Sequence, residues 1–161
     1  MAAQIKNPAM IIPQAMQAHR IFANRNKLIY WIATLWLALG MLSTGLVQLL
    51  KMKAEGAASG VEGITHLGYP IYFLTIIGIW KLLGVVAVLV PKFPLVMEWA
   101  YAGFFFAMSG AIFSHIAVGD PLKEIFPALL LLILTAVSWY FRPADRRLQF
   151  NRKTANHEHI R

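Results

Sequence analysis

The chain has 161 residues, 58% of them hydrophobic, and a mean hydropathy of +0.58; soluble domains are about 45–50% apolar, so this composition argues against a water-soluble globule. It has no cysteine, which removes disulfides, thiolate nucleophiles and cysteine metal sites. The net charge of +8 comes from basic residues flanking apolar blocks, which points to a membrane surface rather than nucleic acid.

Residues 1–27 form a polar, basic tail with Lys6, Arg20, Arg25 and Lys27. No apolar core precedes Leu28, so the tail is not read as a secretory signal. Scattered apolar residues over 10–22 leave two readings, a short interfacial helix and an unstructured tail. Residues 28–50 make the first expected span, uncharged throughout and long enough to cross a hydrocarbon core of about 30 Å. Tyr30, Trp31 and Trp36 lie toward its start as interfacial anchors. Residues 51–69 form the longest loop, and 70–90 the second span, interrupted by one charge, Lys81. Pro91-Lys92-Phe93-Pro94 is a tight stop and restart. The third span, 95–118, carries Glu98 near its start and His115 near its end. Gly119-Asp120-Pro121 breaks the chain before the fourth span, 122–141, which Arg142-Pro143 ends. A basic tail, 143–161, follows.

The apolar blocks are continuous rather than alternating, which rules out barrel strands. Helices remain, because lipid satisfies no backbone polar group. The expected fold is all-α: a four-transmembrane-helix bundle over 28–142 with both termini cytoplasmic. The orientation follows from the positive-inside rule. Eleven Lys and Arg residues lie in the two tails and the 91–94 turn, against Lys51, Lys53 and Lys123 on the other side.

Lys81 should lie roughly 15 Å deep, near the midplane. A lysine there costs on the order of 2.5–3.5 kcal/mol on insertion scales. Gly78 and Gly84, three residues to either side, let a neighbouring helix approach. Glu98 is the expected partner, across an axial gap of roughly 9 Å. Two readings stay open for the pair: a buried ion pair locking the second span to the third, or a proton or anion site. At the opposite end, Gln48 with Thr44, His66, Tyr69, His115 and Asp120 are expected at one depth. They form an outer polar vestibule or the hydrogen bonds that hold loop ends. No metal site is expected, because His66, His115, Asp120 and Glu124 lack ligand spacing and His157-Glu158-His159 lies in the tail. Gly103, Ala107, Gly110 and Ser114 form a small-residue stripe assigned to helix packing. The aromatic run 104–106 is assigned to lipid and core contact, with quinone or sterol stacking as the alternative.

Ser43-Thr44-Gly45, HLGYP at 66–70, GIWKLLG at 78–84, EWAYAGFFF at 98–106, SHIAVGDP at 114–121 and Arg142-Pro143 together resemble the DoxX-like family of small four-helix membrane proteins. The family often has a lysine near the end of the first span, where this chain has Gln48. The resemblance implies a multi-pass protein of a bacterial cytoplasmic (inner) membrane. It implies function weakly: some relatives are linked to thiosulfate or quinone-dependent oxidation.

No nucleophile with a base and an orienting group can be assembled, and neither a phosphate loop nor a haem ligand pair is present. The expectation therefore leans away from an enzyme. It is a non-catalytic or accessory membrane protein holding a small apolar or weakly polar ligand in the bundle, with Lys81 and Glu98 at the inner end of the cavity. The alternative is a membrane subunit of a quinone-linked oxidoreductase, with the redox cofactor on a partner chain. No resident cofactor is expected beyond that quinone, and no nucleic acid. The expected partners are the lipid bilayer, a small hydrophobic ligand and, in the alternative, a redox partner protein.

Overall fold

The computed structural model describes residues 14–52 and 60–148. The described residues form α1 (Gln14–Leu49), α2 (Val61–His66), α3 (Tyr72–Leu89), α4 (Pro94–Val118) and α5 (Leu122–Tyr140), then a single 3-10 turn at Ala144–Arg146. They contain no strand. Four segments are long and apolar enough to cross a membrane: Asn24–Leu49, Tyr72–Leu89, Pro94–Val118 and Leu122–Tyr140.

Each span buries one helical stripe. In α1 the buried positions are Tyr30, Ala33, Thr34, Leu37, Ala38, Met41, Gly45 and Gln48, steps of three and four that keep one face inward. Their counterparts include Val85 and Val88 of α3, Met97, Tyr101, Phe104 and Met108 of α4, and Leu131 of α5. The opposite faces are apolar and uncovered; Trp80, Trp99, Phe106 and Phe113 are each at least two-thirds exposed. A water-soluble protein rarely presents so much contiguous apolar surface. This is the surface of a multi-pass membrane protein, with lipid as its solvent.

The four long helices close into a ring. α1 packs on α3 and α5, and α4 packs on the same two helices. The α1–α3 contact is the most intimate. A Cβ on Gly78 would lie 3.0 Å from the Gly45 carbonyl oxygen and 3.1 Å from the Leu49 amide nitrogen, so the two backbones touch. α4 ends where Gly119, at φ +80°, takes the left-handed cap that glycine adopts without strain.

Two expectations change. The stretch 10–22 is neither a separate interfacial helix nor an unstructured tail from Gln14 onward. α1 begins directly after Pro13 and runs 36 residues into the first span, because Gln14–Leu39 contains no glycine or proline to break it. Residues 1–13 lie outside the described residues. The 51–69 loop, in turn, contains α2, which places His66 at a helix end.

Candidate functional site

Polar groups gather at three levels. The first is the end where α1 enters the bundle, α3 turns into α4, and α5 leaves; it is called the arginine end below. Glu98, in the second turn of α4, receives hydrogen bonds from Arg142, just past α5, and from Trp139 Nε1 at 2.9 Å. The Arg142 guanidinium is buried and lies 5.6 Å from the Tyr101 ring centre, a cation–π placement. Arg146 donates to the Tyr30 hydroxyl at 3.0 Å and to the Val88 carbonyl at 3.1 Å. It thereby caps the C-terminus of α3, where a cation is favoured by the helix dipole.

A chain of hydroxyls runs inward from this end. Tyr101 and Ser138 are 2.7 Å apart, Ser138 and Thr34 are 2.6 Å apart, and Thr34 donates to the Tyr30 carbonyl at 2.6 Å. Each hydroxyl has one proton. Thr34 spends its proton on the carbonyl, so Ser138 must donate to Thr34, and Tyr101 must donate to Ser138. One directed chain therefore joins α4, α5 and α1.

The second level is the middle of the bundle. Lys81 is only 6% exposed, and its ammonium donates to Thr44 Oγ1 of α1 at 3.2 Å. Thr44 passes its own proton to the Gly40 carbonyl at 2.9 Å. The expected Lys81–Glu98 ion pair does not form. Glu98 sits at the depth of Arg142, because α4 starts and α5 stops at the same end, and the arginine takes it. Lys81 is turned toward α1, where its Cβ would meet a Cβ on Gly45 at 3.2 Å. Among the described residues no carboxylate lies within ion-pair distance of Lys81.

Lys81 also lines a groove of about 320 Å³ between α3 and α4. Its floor is built of small residues, including Gly84, Ala100, Gly103 and Ala107, and its rim carries Trp80 and Trp99. Gly84 is filled from the far helix: a Cβ there would strike the Phe104 ring at 2.6 Å. Gly103 and Gly110 have nothing within 4 Å of where a Cβ would stand. The small-residue stripe of α4 is therefore only partly spent on packing within the chain: Ala107 packs against the core and Ser114 meets Tyr69, whereas Gly103 and Gly110 meet nothing, and Gly103 and Ala107 line the groove. The aromatic run divides, with Phe104 packed on Gly84 while Phe105 and Phe106 face outward.

The third level is the histidine end. Asp120 accepts from two imidazoles, His66 Nε2 at 2.7 Å and His115 Nδ1 at 2.6 Å. These bonds, His115 first, hold its carboxyl below the usual carboxylate range. The clasp ties α2 to the α4–α5 turn. Tyr69 lies 2.9 Å from Ser114. Ser114 spends its proton on the Gly110 carbonyl, so Tyr69 is the donor. Gln48 is buried, but it is not joined to this group, and its Oε1 finds no hydrogen-bond partner among the described residues. Thr44 belongs with Lys81 instead. No convergent set of three metal-binding side chains occurs among the described residues, and His157 and His159 lie outside them.

The model of the DoxX-like family matches residues 32–137, from within the first span to the last turns of α5. The chain belongs to the DoxX-like family. No curated protein and no solved structure matches it. In this DoxX-like bundle the matched region includes Lys81, Thr44, Glu98, the groove and the whole histidine clasp. It stops short of Arg142, the residue that neutralises Glu98. Sequence reasoning missed Arg142, Tyr101, Ser138 and Thr34. Depth gave a signal for Arg142: Glu98 lies four residues into one span and Arg142 just beyond another that ends on the same side. The hydroxyls carried no signal, since Ser and Thr are ordinary in membrane helices.

Proposed function

We propose that this DoxX-like protein is a non-catalytic or accessory protein of a bacterial inner membrane that holds a small lipid-soluble ligand in the α3–α4 groove, with Lys81 as its polar contact. The carrying observation is the open wall at Gly103 beside a buried lysine that has a single hydroxyl partner. A concave apolar slot with one polar side chain in its lining fits a ligand site. Both termini are placed in the cytoplasm. Support comes from the excess of Lys and Arg on that side and from the clustering of Arg142, Arg146 and Arg147 at one end of the bundle. The quinone-linked alternative keeps a place in the same groove, whose lining includes the rings of Trp80, Trp99 and Phe104.

Native mass spectrometry from mild detergent tests this reading. The wild type should retain one small adduct per chain, and Gly103→Leu, which fills the slot without striking a neighbour at Cβ, should lose it. An adduct that survives Gly103→Leu would place the ligand elsewhere. Identification of that adduct as an isoprenoid quinone would favour the redox alternative.

A further inference from the structure

We infer that the groove takes a single-chain amphiphile with a carboxylic acid head, whose carboxylate is the missing counter-ion of Lys81. This rests on the groove being a ligand site and adds the chemical class of the ligand.

The bundle buries two cations and treats them differently. Arg142 has a counter-ion, Glu98, and the face of Tyr101, although its Nε and one terminal nitrogen meet no acceptor among the described residues. Lys81, nearer the middle of its helix, has one neutral hydroxyl. An ammonium carries three donors, and two of these meet no acceptor among the described residues. The acids of the described chain stand away from it: Glu98 and Asp145 at the arginine end, and Glu62, Asp120 and Glu124 at the histidine end. A buried charge without a partner is strongly unfavourable, and supplying the partner recovers that loss. A neutral carbonyl would accept a hydrogen bond and leave the charge uncompensated. A carboxylate does both, and a charge-assisted bond is roughly twice as strong as a neutral one.

The groove selects the rest of the molecule. It opens between Trp80 and Trp99, both about two-thirds exposed, so access is from the hydrocarbon. Apart from Lys81 its lining residues are apolar or glycine, which suits an alkyl tail. Its volume of about 320 Å³ suits one slim chain rather than a two-chain phospholipid, whose phosphate would also have to leave the interface to reach Lys81.

The test compares a fluorophore-tagged undecanoic acid with its methyl ester, titrated into wild-type protein in a mild maltoside detergent. The acid should bind saturably, and the ester at least about tenfold more weakly, a factor worth about 1.4 kcal/mol. Lys81→Met should bring the acid down to the level of the ester and leave the ester unchanged. Gly103→Leu should abolish binding of both. Equal binding of acid and ester, with loss of both in Gly103→Leu, would overturn the acid head and leave the groove standing. Binding of both that persists in Gly103→Leu would overturn the groove and the inference with it. Wild-type protein that binds neither probe would overturn the inference. The acid–ester comparison on the wild type decides the matter even if a variant fails to fold.

Discussion

Arg142 and Lys81 are equally hidden and oppositely equipped. Arg142 stands just past the end of a helix, next to a carboxylate, an indole and a phenol ring. Lys81 stands in mid-span beside a threonine and against Gly45 of α1. In the first arrangement the charges cancel and α5 is fastened to α4, although Arg142 Nε and one of its terminal nitrogens meet no acceptor among the described residues. The second has one neutral partner on α1 and no carboxylate among the described residues, and the same lysine lines a groove. Burial alone therefore does not separate a structural cation from one available to a ligand; the inventory of its partners does.

The largest expected effect comes from breaking the Arg142–Glu98 ion pair. Arg142→Met should lower the stability of the detergent-solubilised protein by about 3 kcal/mol, the low end for removing one partner of a buried pair, because Glu98 keeps some access to solvent. Adding Glu98→Gln should recover part of that loss, giving a double-mutant cycle with a coupling of about 1 kcal/mol or more. Additive losses in thermal or chemical unfolding would mean that the two do not act as a pair.

Lys81→Met should behave differently. It deletes one hydrogen bond of about 1 kcal/mol but removes an ammonium whose insertion costs on the order of 2.5–3.5 kcal/mol. Ligand-free protein should keep its stability or gain about 1 kcal/mol, and the change should be additive with Glu98→Gln. A loss as large as that of Arg142→Met would show that Lys81 has a structural partner and that the two cations are alike after all.

The span positions were legible because uninterrupted apolar runs of membrane length leave little choice of structure. Helices α3, α4 and α5 start and stop within two residues of the breaks set by Pro, Gly and charge. Lys81 was legible for the complementary reason, as a lone charge in such a run. Its assignment to Glu98 failed because sequence gives depth well and direction around the helix poorly. Turning α3 so that Lys81 meets Gly45 takes its ammonium to α1, and no pattern in 70–90 encodes that rotation. Among the vestibule residues, His66, His115 and Asp120 are joined. Gln48 shares their end of the bundle but stays outside their hydrogen bonds, which residue type alone does not distinguish.

The smallest effect is expected at the histidine end, which lies apart from both cations and serves as their control. Asp120 is held below its ordinary pKa in the folded protein. Its contribution is therefore complete above the unfolded value of about 3.9 and is lost as pH falls below that, through the lower folded value. Hydrogen-exchange protection of Val61–His66, corrected for intrinsic rates, should drop below about pH 4 in the wild type and be low at every pH in Asp120→Ala. Protection in the wild type that ignores acid would mean that something other than the carboxylate holds α2 down.

The directed hydroxyl chain has a consequence for traffic through the bundle. A proton wire needs every member to accept on one side and release on the other. The series from Tyr101 through Ser138 and Thr34 ends on the Tyr30 carbonyl, which can accept a hydrogen bond but has no proton to hand on. Reversing the series would require breaking that terminal bond and turning all three hydroxyls together in a buried setting, where an unmade hydrogen bond is expensive. The chain thus has a fixed polarity, and it fastens three helices near the arginine end.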